Sequence, residues 1–181
     1  MTREYILTGG PGSGKSSILL ALEEQGFPIS REAAEDYIRL RQAQGIQEPW
    51  KEKDFQEGIL KLQIRREART HCKEIGDPYN IALPIVFIDR GIHDGLAYAE
   101  KGTETYRKIE EEARKRQYNK IFLIENLGQT ERTEVRRENQ EQSLELERKL
   151  EQVYERFGYK PIRIPSAPLQ ERVNTILKNL G

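Results

Sequence analysis

The sequence lacks most of the features that mark secreted, membrane-spanning or nucleic-acid-coating proteins. It has one cysteine, Cys72, so no intramolecular disulfide can form and a disulfide-stapled scaffold is excluded. No pairing motif surrounds Cys72, which favours an ordinary helix residue over a nucleophile. No stretch approaches the ~18 consecutive apolar residues of a membrane span. The opening MTREYILTGG holds too short an apolar run for a signal peptide, and Glu4 stands where a leader carries basic residues. The default compartment is therefore the cytoplasm. Excess charge is missing too. The 30 basic and 30 acidic residues leave a formal net charge of zero, which gives no global pull toward nucleic acid or an anionic membrane. Basic and aromatic residues are not interleaved, a further argument against nucleic acid. There is no repeat, low-complexity tract or linker, and the 181 residues read as one domain spanning 1–181.

What is present alternates between two periods. Tyr5 to Thr8, Phe27 to Ser30, the run from Pro84 in PIVFIDRG, KIFLIEN from Lys120 and YKPIRIP from Tyr159 are short apolar runs that read as buried strands. Helical spacing is predicted over Lys15–Gln25, Glu32–Gln44, a longer stretch after Asp54, Ile92–Glu100, Glu104–Gln117, Ser143–Phe157 and Leu169–Leu180. Gly76-Asp77-Pro78 breaks the chain. Strands alternating with helices argue an α/β fold built on a parallel sheet.

The first strand runs into Gly9-Gly10-Pro11-Gly12-Ser13-Gly14-Lys15-Ser16, which fits G-x-x-x-x-G-K-[ST] at every fixed position. Chance supplies such a match in about half a percent of chains of this length at average residue usage, and here a strand precedes it and a helix follows. The glycines let the backbone curl with its N–H groups inward, and the helix N-terminus adds a positive end for phosphate oxygens. Lys15 is expected to reach the β- and γ-phosphates, Ser16 to place its hydroxyl on Mg²⁺, and Ser17 to touch the α-phosphate.

Asp89 ends the strand IVFID. A strand-end acid in a parallel sheet can hold Mg²⁺ or take the proton of an attacking hydroxyl; a helix cap or a plain ion pair is the bland alternative. The next residue is Arg90, not the Glu that motor and transport ATPases of this class usually place there to activate water. A cation there suits an acceptor or a moving phosphoryl group. The guanine signal N-K-x-D is absent, since Asn119-Lys120-Ile121 leads to Phe122, which disfavours dedicated GTP binding. Glu32, after the second strand, has two readings of equal weight. It is a general base on the acceptor side, or an ordinary first-turn carboxylate favoured by the helix dipole.

The segment 128–142 is dense in charge and holds Arg132, Arg136 and Arg137. It is either a lid that closes over the nucleotide and brings an arginine to the transferring group, or a solvated charge run. His93 and Asp94 either line the pocket or serve as surface and capping residues. Ser166-Ala167-Pro168 is a candidate border for the nucleotide base. The sole tryptophan, Trp50, reads better as packing than as ligand stacking. Glu110–Arg116 reads as an exposed helix laced with charge pairs.

ILTGGPGSGKSS, EAAEDYI, IVFIDRGIHDGLAYA, IFLI with its arginine-bearing sequel, and PSAPLQERV together resemble the NadR-type AAA domain family. These are small P-loop ATPases or kinases related to the nicotinamide riboside kinase domain of NadR. The resemblance runs over nearly the whole chain. It implies a three-layer P-loop NTPase fold with a parallel five-stranded sheet of order 2-3-1-4-5 and helices on both faces, ATP with Mg²⁺ as cofactors, and kinase-like architecture. By that likeness Gly9 to Ser17 bind phosphate and Asp89 is the strand-end acid. The leading expectation is transfer of the ATP γ-phosphate to a small-molecule acceptor, with Lys15, Asp89, Arg90, Glu32 and a lid arginine in the catalytic roles. The alternative is a slow regulatory ATPase or switch that acts through a protein partner.

Overall fold

The computed structural model describes residues 2–70, 85–127 and 140–180. The strands are β1 (Arg3–Thr8), β2 (Ile29–Ser30), β3 (Ile85–Asp89), β4 (Lys120–Ile124) and β5 (Ile162–Ile164). All pair in parallel, in the order β2-β3-β1-β4-β5, as expected. Both faces of the sheet are covered, because successive residues point to opposite sides. Tyr5 and Leu7 join Phe87 and Phe122 in one core, with Ile18 and Leu22 of α1 (Lys15–Glu24) and with Val173 and Ile176 of α7 (Leu169–Lys178). Ile6, Val86, Ile88 and Ile121 face the other way, against Tyr118 and Tyr154. Tyr154 belongs to α6 (Gln140–Arg156). These are the three layers of a P-loop NTPase.

Between β2 and β3 run α2 (Ala33–Ala43), a 3-10 turn at Pro49–Lys51, and α3 (Phe55–Thr70). The helix expected over Ile92–Glu100 is instead a 3-10 turn, Ile92–Asp94, followed by one turn of α-helix, α4 (Gly95–Tyr98). Asp94 is bonded by Thr8 and Tyr154, which fixes the chain here, and Ala99 is already extended. Next comes α5 (Glu104–Arg114), three residues shorter than its charge pattern suggested. Its Glu110–Arg114 and Glu112–Lys115 pairs confirm the laced surface. α6 begins at Gln140 rather than Ser143, so the end of the segment 128–142 is helical. Arg132, Arg136 and Arg137, along with Cys72 and Gly76-Asp77-Pro78, lie outside the described residues. Among the described residues no helix is long and apolar enough to cross a membrane.

Two titratable groups are packed into the helical layer. Glu67 of α3 is fully buried. Its Oε1 accepts bonds from the Gln63 amide (2.8 Å), the Ile92 N–H (3.2 Å) and the Tyr118 hydroxyl (3.0 Å). Burial pushes its carboxyl up to about 7, against the opposing pull of Gln63, Arg116 and Tyr118. His93 is neither on the surface nor in the pocket. Its ring sits among Tyr118, Tyr154, Phe157 and Tyr159, with the Phe157 centroid at 4.6 Å. Neither ring nitrogen has a hydrogen-bond partner among the described residues. Burial, helped by the charge of Arg156, pulls His93 down to about 4.

These two shifts act on stability in opposite directions. Between pH 4.5 and about 7 the folded chain keeps a proton on Glu67 that the unfolded chain has released, so stability falls as pH rises. Between pH 6.5 and about 4 the unfolded chain protonates His93 and the folded chain does not, so stability falls as pH drops. Each shift is worth at most about 3 kcal/mol. Denaturant unfolding over a pH series checks this. The stability of Glu67→Gln relative to wild type should rise between pH 4.5 and 7, and that of His93→Phe should rise as pH falls from 6.5 to 4. Differences that do not vary with pH would mean that neither group is held in its uncharged form.

Candidate nucleotide and acceptor site

The carboxyl end of β1 passes directly into the glycine loop, and the loop into α1. The loop lies so close to its neighbours that side chains are excluded. A Cβ on Gly9, whose φ is 143°, would stand 2.3 Å from the Ile124 carbonyl oxygen, and one on Gly10 would stand 2.4 Å from Ser143 Oγ. Real Cβ atoms do not approach so closely, so both positions require glycine. Gly14 precedes α1 with no side-chain cap, and the first turn holds no acidic residue. The helix therefore presents free N–H groups and the positive end of its dipole to this edge of the sheet. Ser16 and Ser17 are exposed there. Lys15 is buried and donates to the carbonyls of Gly9 (2.9 Å) and Gly10 (3.0 Å) and to Ser13 Oγ (3.2 Å).

The loop is braced from behind by residues that the sequence did not single out. Asn126 Nδ2 and Ser143 Oγ both donate to the Pro11 carbonyl, at 3.0 and 2.9 Å. Arg172, from α7, donates through Nη1 to the Ser13 carbonyl (2.7 Å) and through Nη2 to the Glu125 carbonyl (3.0 Å). Burial lowers the pKa of Arg172, so its charge is held against a desolvation cost. An arginine beside the apolar stripe of Val173 and Ile176 was the available clue. Ser166-Ala167-Pro168 leads into α7, with Pro168 at its N-cap; what the structure places on the loop is Arg172, four residues on.

The parallel register sets Leu7 opposite Asp89, so the acid stands beside the root of the loop and is 6% exposed. A serine hydroxyl and a carboxylate beside phosphate oxygens form an all-oxygen donor set of the kind Mg²⁺ takes. Ser16 and Asp89 fit that ion. Among the described residues no cluster of three or more His, Cys, Asp or Glu offers a metal a cage.

Beyond Asp89 the chain makes a strained step. Arg90 has a φ of 62°, a left-handed conformation that costs a non-glycine residue about 1–3 kcal/mol. Its side chain is buried. Nε lies 3.2 Å from Glu32 Oε1, Nη1 lies 3.3 Å from Asp94 Oδ2, and the guanidinium sits 5.5 Å from the Tyr98 ring centroid. Burial works against this charge, but Tyr98, Glu32, Asp94 and Asp89 together outweigh it and hold the pKa well above the ordinary arginine value. Nη2 is buried without a hydrogen-bond partner among the described residues. Glu32 is the N-cap residue of α2 but makes no capping bond with its side chain; it turns to Arg90 instead. Asp94 is no surface residue. It accepts from Thr8 Oγ1 at 2.7 Å and from the Tyr154 hydroxyl.

These charges sit at a cavity of about 250 Å³ between α2, α3 and α4. Glu32, Arg90 and Asp94 line it with Ile38, Phe55, Ile59, Leu60, Ile92, Tyr98 and Ile109. Trp50 lines it too and is 40% exposed. Asp89 is not part of the lining.

A strand-end acid and a glycine loop opening a helix, at the carboxyl edge of a 2-3-1-4-5 parallel sheet, define a P-loop nucleotide-binding domain of kinase-like architecture. Residues 4–172 match the model of an AAA domain family. The chain belongs to that family. It shares the fold of the NadR protein. The structure of NadR in complex with NAD and AMP-PNP aligns with a TM-score of 0.70 at 19% identity, over 98% of this chain and 49% of that one. NadR in complex with NR gives 0.69 at 18%, over 98% and 50%. The chain thus spans about half the length of those proteins. Deoxyadenosine kinase from M. mycoides, with products dCMP and a flexible dCDP bound, gives 0.56 at 16% identity over 98% of both chains. No curated protein matches the sequence.

Arg172 offers a test of the bracing. Arg172→Met keeps the bulk of the stem and removes both bonds, and charge-assisted bonds of this kind are worth about 1.5–3 kcal/mol. Calorimetric titration should show Mg-ATP binding about tenfold weaker, or ~1.4 kcal/mol, in a folded protein. Unchanged affinity would mean that the loop holds its shape without α7.

Proposed function

We propose that this protein transfers the γ-phosphoryl group of ATP to the hydroxyl of a small molecule held in the cavity between α2, α3 and α4. The observation that carries the reading is the cavity itself, whose charged lining, Glu32, Arg90 and Asp94, joins the strand-end acid to the apolar walls. The cavity is lined by Arg90 and Gly91, which directly follow Asp89 in the chain. The likeness to NadR bound to AMP-PNP and to a deoxyadenosine kinase agrees with this reading. A regulatory switch would call for no such space.

Lys15 leaves its loop carbonyls for the β- and γ-phosphate oxygens, and the free N–H groups of α1 hold the rest of the chain of phosphates. Ser16 and Asp89 would hold Mg²⁺, which would neutralise charge on the phosphates. Glu32 is the acceptor-side base, because it lines the cavity and Asp89 does not. The acceptor oxygen bonds to the γ-phosphorus as the bridging bond to ADP breaks, and the hydroxyl proton passes to the Glu32 carboxylate and on to solvent. In a loose transition state that proton leaves late, so position matters more than basicity. Arg90 Nη2 is available to the developing negative charge. A lid role for the segment 128–142, with one of Arg132, Arg136 and Arg137 over the phosphates, belongs to the same proposal.

The ratio of ADP to free phosphate, measured with Mg-ATP and a pooled extract of small metabolites, tests this. ADP should exceed phosphate only when the pool is present. Glu32→Gln should lower that excess about a hundredfold or more and leave Mg-ATP affinity unchanged. A ratio of one, indifferent to the pool, would overturn the transfer reading.

A further inference from the structure

The short helix α4 borders two recesses. Gly95 and Tyr98 line the cavity described above, whereas Leu96 and Ala97 line another recess, which α4 shares with α5 and α6. The two linings have no residue in common. We propose that this other recess is a ligand site for a small anion carried on an apolar body, a carboxylate or a phosphate ester. The proposal does not depend on the transfer reading.

The floor supplies the apolar half. Leu96 and Tyr106 are buried, with Ala99 and Val153 packed partly buried against them, and a ligand gains by covering what remains open of this surface. Along α6 the lining runs from Lys149 to Arg156, about 10 Å of helix. The neighbouring exposed residues of α6 are charged: Glu145, Arg148 and Glu155. The apolar floor is therefore the length of a small molecule and too short for a helix of three or four turns laid along it.

The rim supplies the charge. Lys101, Lys149 and Arg156 line the recess, and no acid among the described residues does. Lys149 pairs with Glu145 at 2.6 Å and Arg156 stands 3.3 Å from Glu110. Counting those two acids with the three cations still leaves one positive charge. Lys101 is exposed and pairs with no acid among the described residues. The Lys149 pair is exposed on one helix face, where such pairs contribute little, so its ammonium can turn to a ligand at small cost. Arg156 is held in place. Its Nη1 donates to the Tyr106 hydroxyl at 2.8 Å, and its guanidinium lies 5.1 Å from the Phe157 ring centroid. A guanidinium fixed in this way has N–H groups to spare and a shape that matches carboxylate and phosphate oxygens. The other cavity has the reverse balance, with Arg90 enclosed by Glu32 and Asp94.

The test uses the full chain with Mg-AMP-PNP bound, so that the phosphate loop is filled. 3-Phenylpropionate and phenyl phosphate are the anionic probes. 3-Phenylpropanol is the neutral counterpart, and inorganic phosphate is the anion without an apolar body. Calorimetric titration reads affinity, and methyl NMR reads place. The better anionic probe should bind about tenfold more tightly than the alcohol or inorganic phosphate at low salt, should weaken as salt rises, and should shift the methyl resonances of Leu96 and Val153. Which probe is better tells a carboxylate site from a phosphate site. Lys101→Gln combined with Arg156→Gln should remove the preference for the anion, while unchanged AMP-PNP affinity shows that the variant is folded. If that variant does not fold, Lys101→Gln alone decides, since this exposed side chain supports nothing else; it should weaken the anionic probe severalfold. The proposal is overturned by an alcohol that binds as tightly as the anions, or by inorganic phosphate that matches phenyl phosphate. Shifts at Ile59 and Leu60 in place of Leu96 and Val153 would overturn it as well. So would an affinity indifferent to Lys101→Gln, or a sedimenting dimer of this chain that covers the recess and excludes the probes.

Discussion

The buried guanidinium of Arg90 is the constraint around which the wall of the cavity is arranged. A cation taken out of water must be surrounded by opposite charge and hydrogen-bond acceptors, or the fold does not tolerate it. Here that requirement draws in Glu32 from the start of α2 and Asp94 from the turn after β3. Asp94 in turn draws Thr8 of β1 and Tyr154 of α6. The Arg90 carbonyl is taken by Gln63 of α3, which also reaches Glu67. Five elements are thus tied to one residue through polar contacts, most of them buried. The left-handed backbone at Arg90 is the local cost of aiming the side chain into this network, and the surrounding bonds hold it there.

The phosphate side follows a different logic. It contains few side-chain interactions directed at a ligand, and its chemistry lies in backbone and in one lysine. Such a loop needs support from outside itself, because a chain rich in glycine has many conformations to lose. The support comes through carbonyls: Pro11 is held by Asn126 and Ser143, and Ser13 by Arg172. The carbonyls are thereby turned toward β4, α6 and α7, which leaves the N–H face for phosphate. Preorganised donors of this kind do not have to reorganise when charge arrives. Both halves meet because β1 and β3 are parallel neighbours in register. Leu7 opposite Asp89 brings the root of the loop and the start of the Arg90 network to the same edge.

Features encoded in contiguous residues were legible in the sequence. The loop motif, the five apolar runs and the helix stripes such as Leu146, Leu150 and Tyr154 each depend on neighbours in the chain, and all appear in the structure where expected. The helix after β3 was misread because its spacing looks helical, while its conformation is set by distant partners of Asp94. His93 sits beside that same Asp94, and nothing local distinguishes an aromatic cage assembled from residues 118, 154, 157 and 159 from solvent. Arg172 reaches a carbonyl 159 positions away, a contact no local pattern encodes. Glu32 was left evenly balanced between two roles; its side chain makes no capping bond and approaches Arg90, a contact no local pattern encodes.

On the proposed reading, the choice between water and a hydroxyl acceptor as the recipient of phosphate turns on where carboxylates stand. Motor and transport ATPases of the P-loop class usually place a Glu directly after the strand-end aspartate, where it can orient water beside the phosphate. In this chain that position is Arg90, whose charge is spent on two carboxylates and whose strained backbone fixes its direction. The carboxylates on this side are Glu32 and Asp94, both held against Arg90 at the wall of the cavity. Water gains little in such a space, since it finds few partners there, whereas an apolar molecule gains by covering those walls. A hydroxyl on that molecule would then meet Glu32 with competing water already displaced. On the proposed reading, an arginine in place of a water-activating acid and the apolar share of the cavity wall act together to favour transfer over hydrolysis.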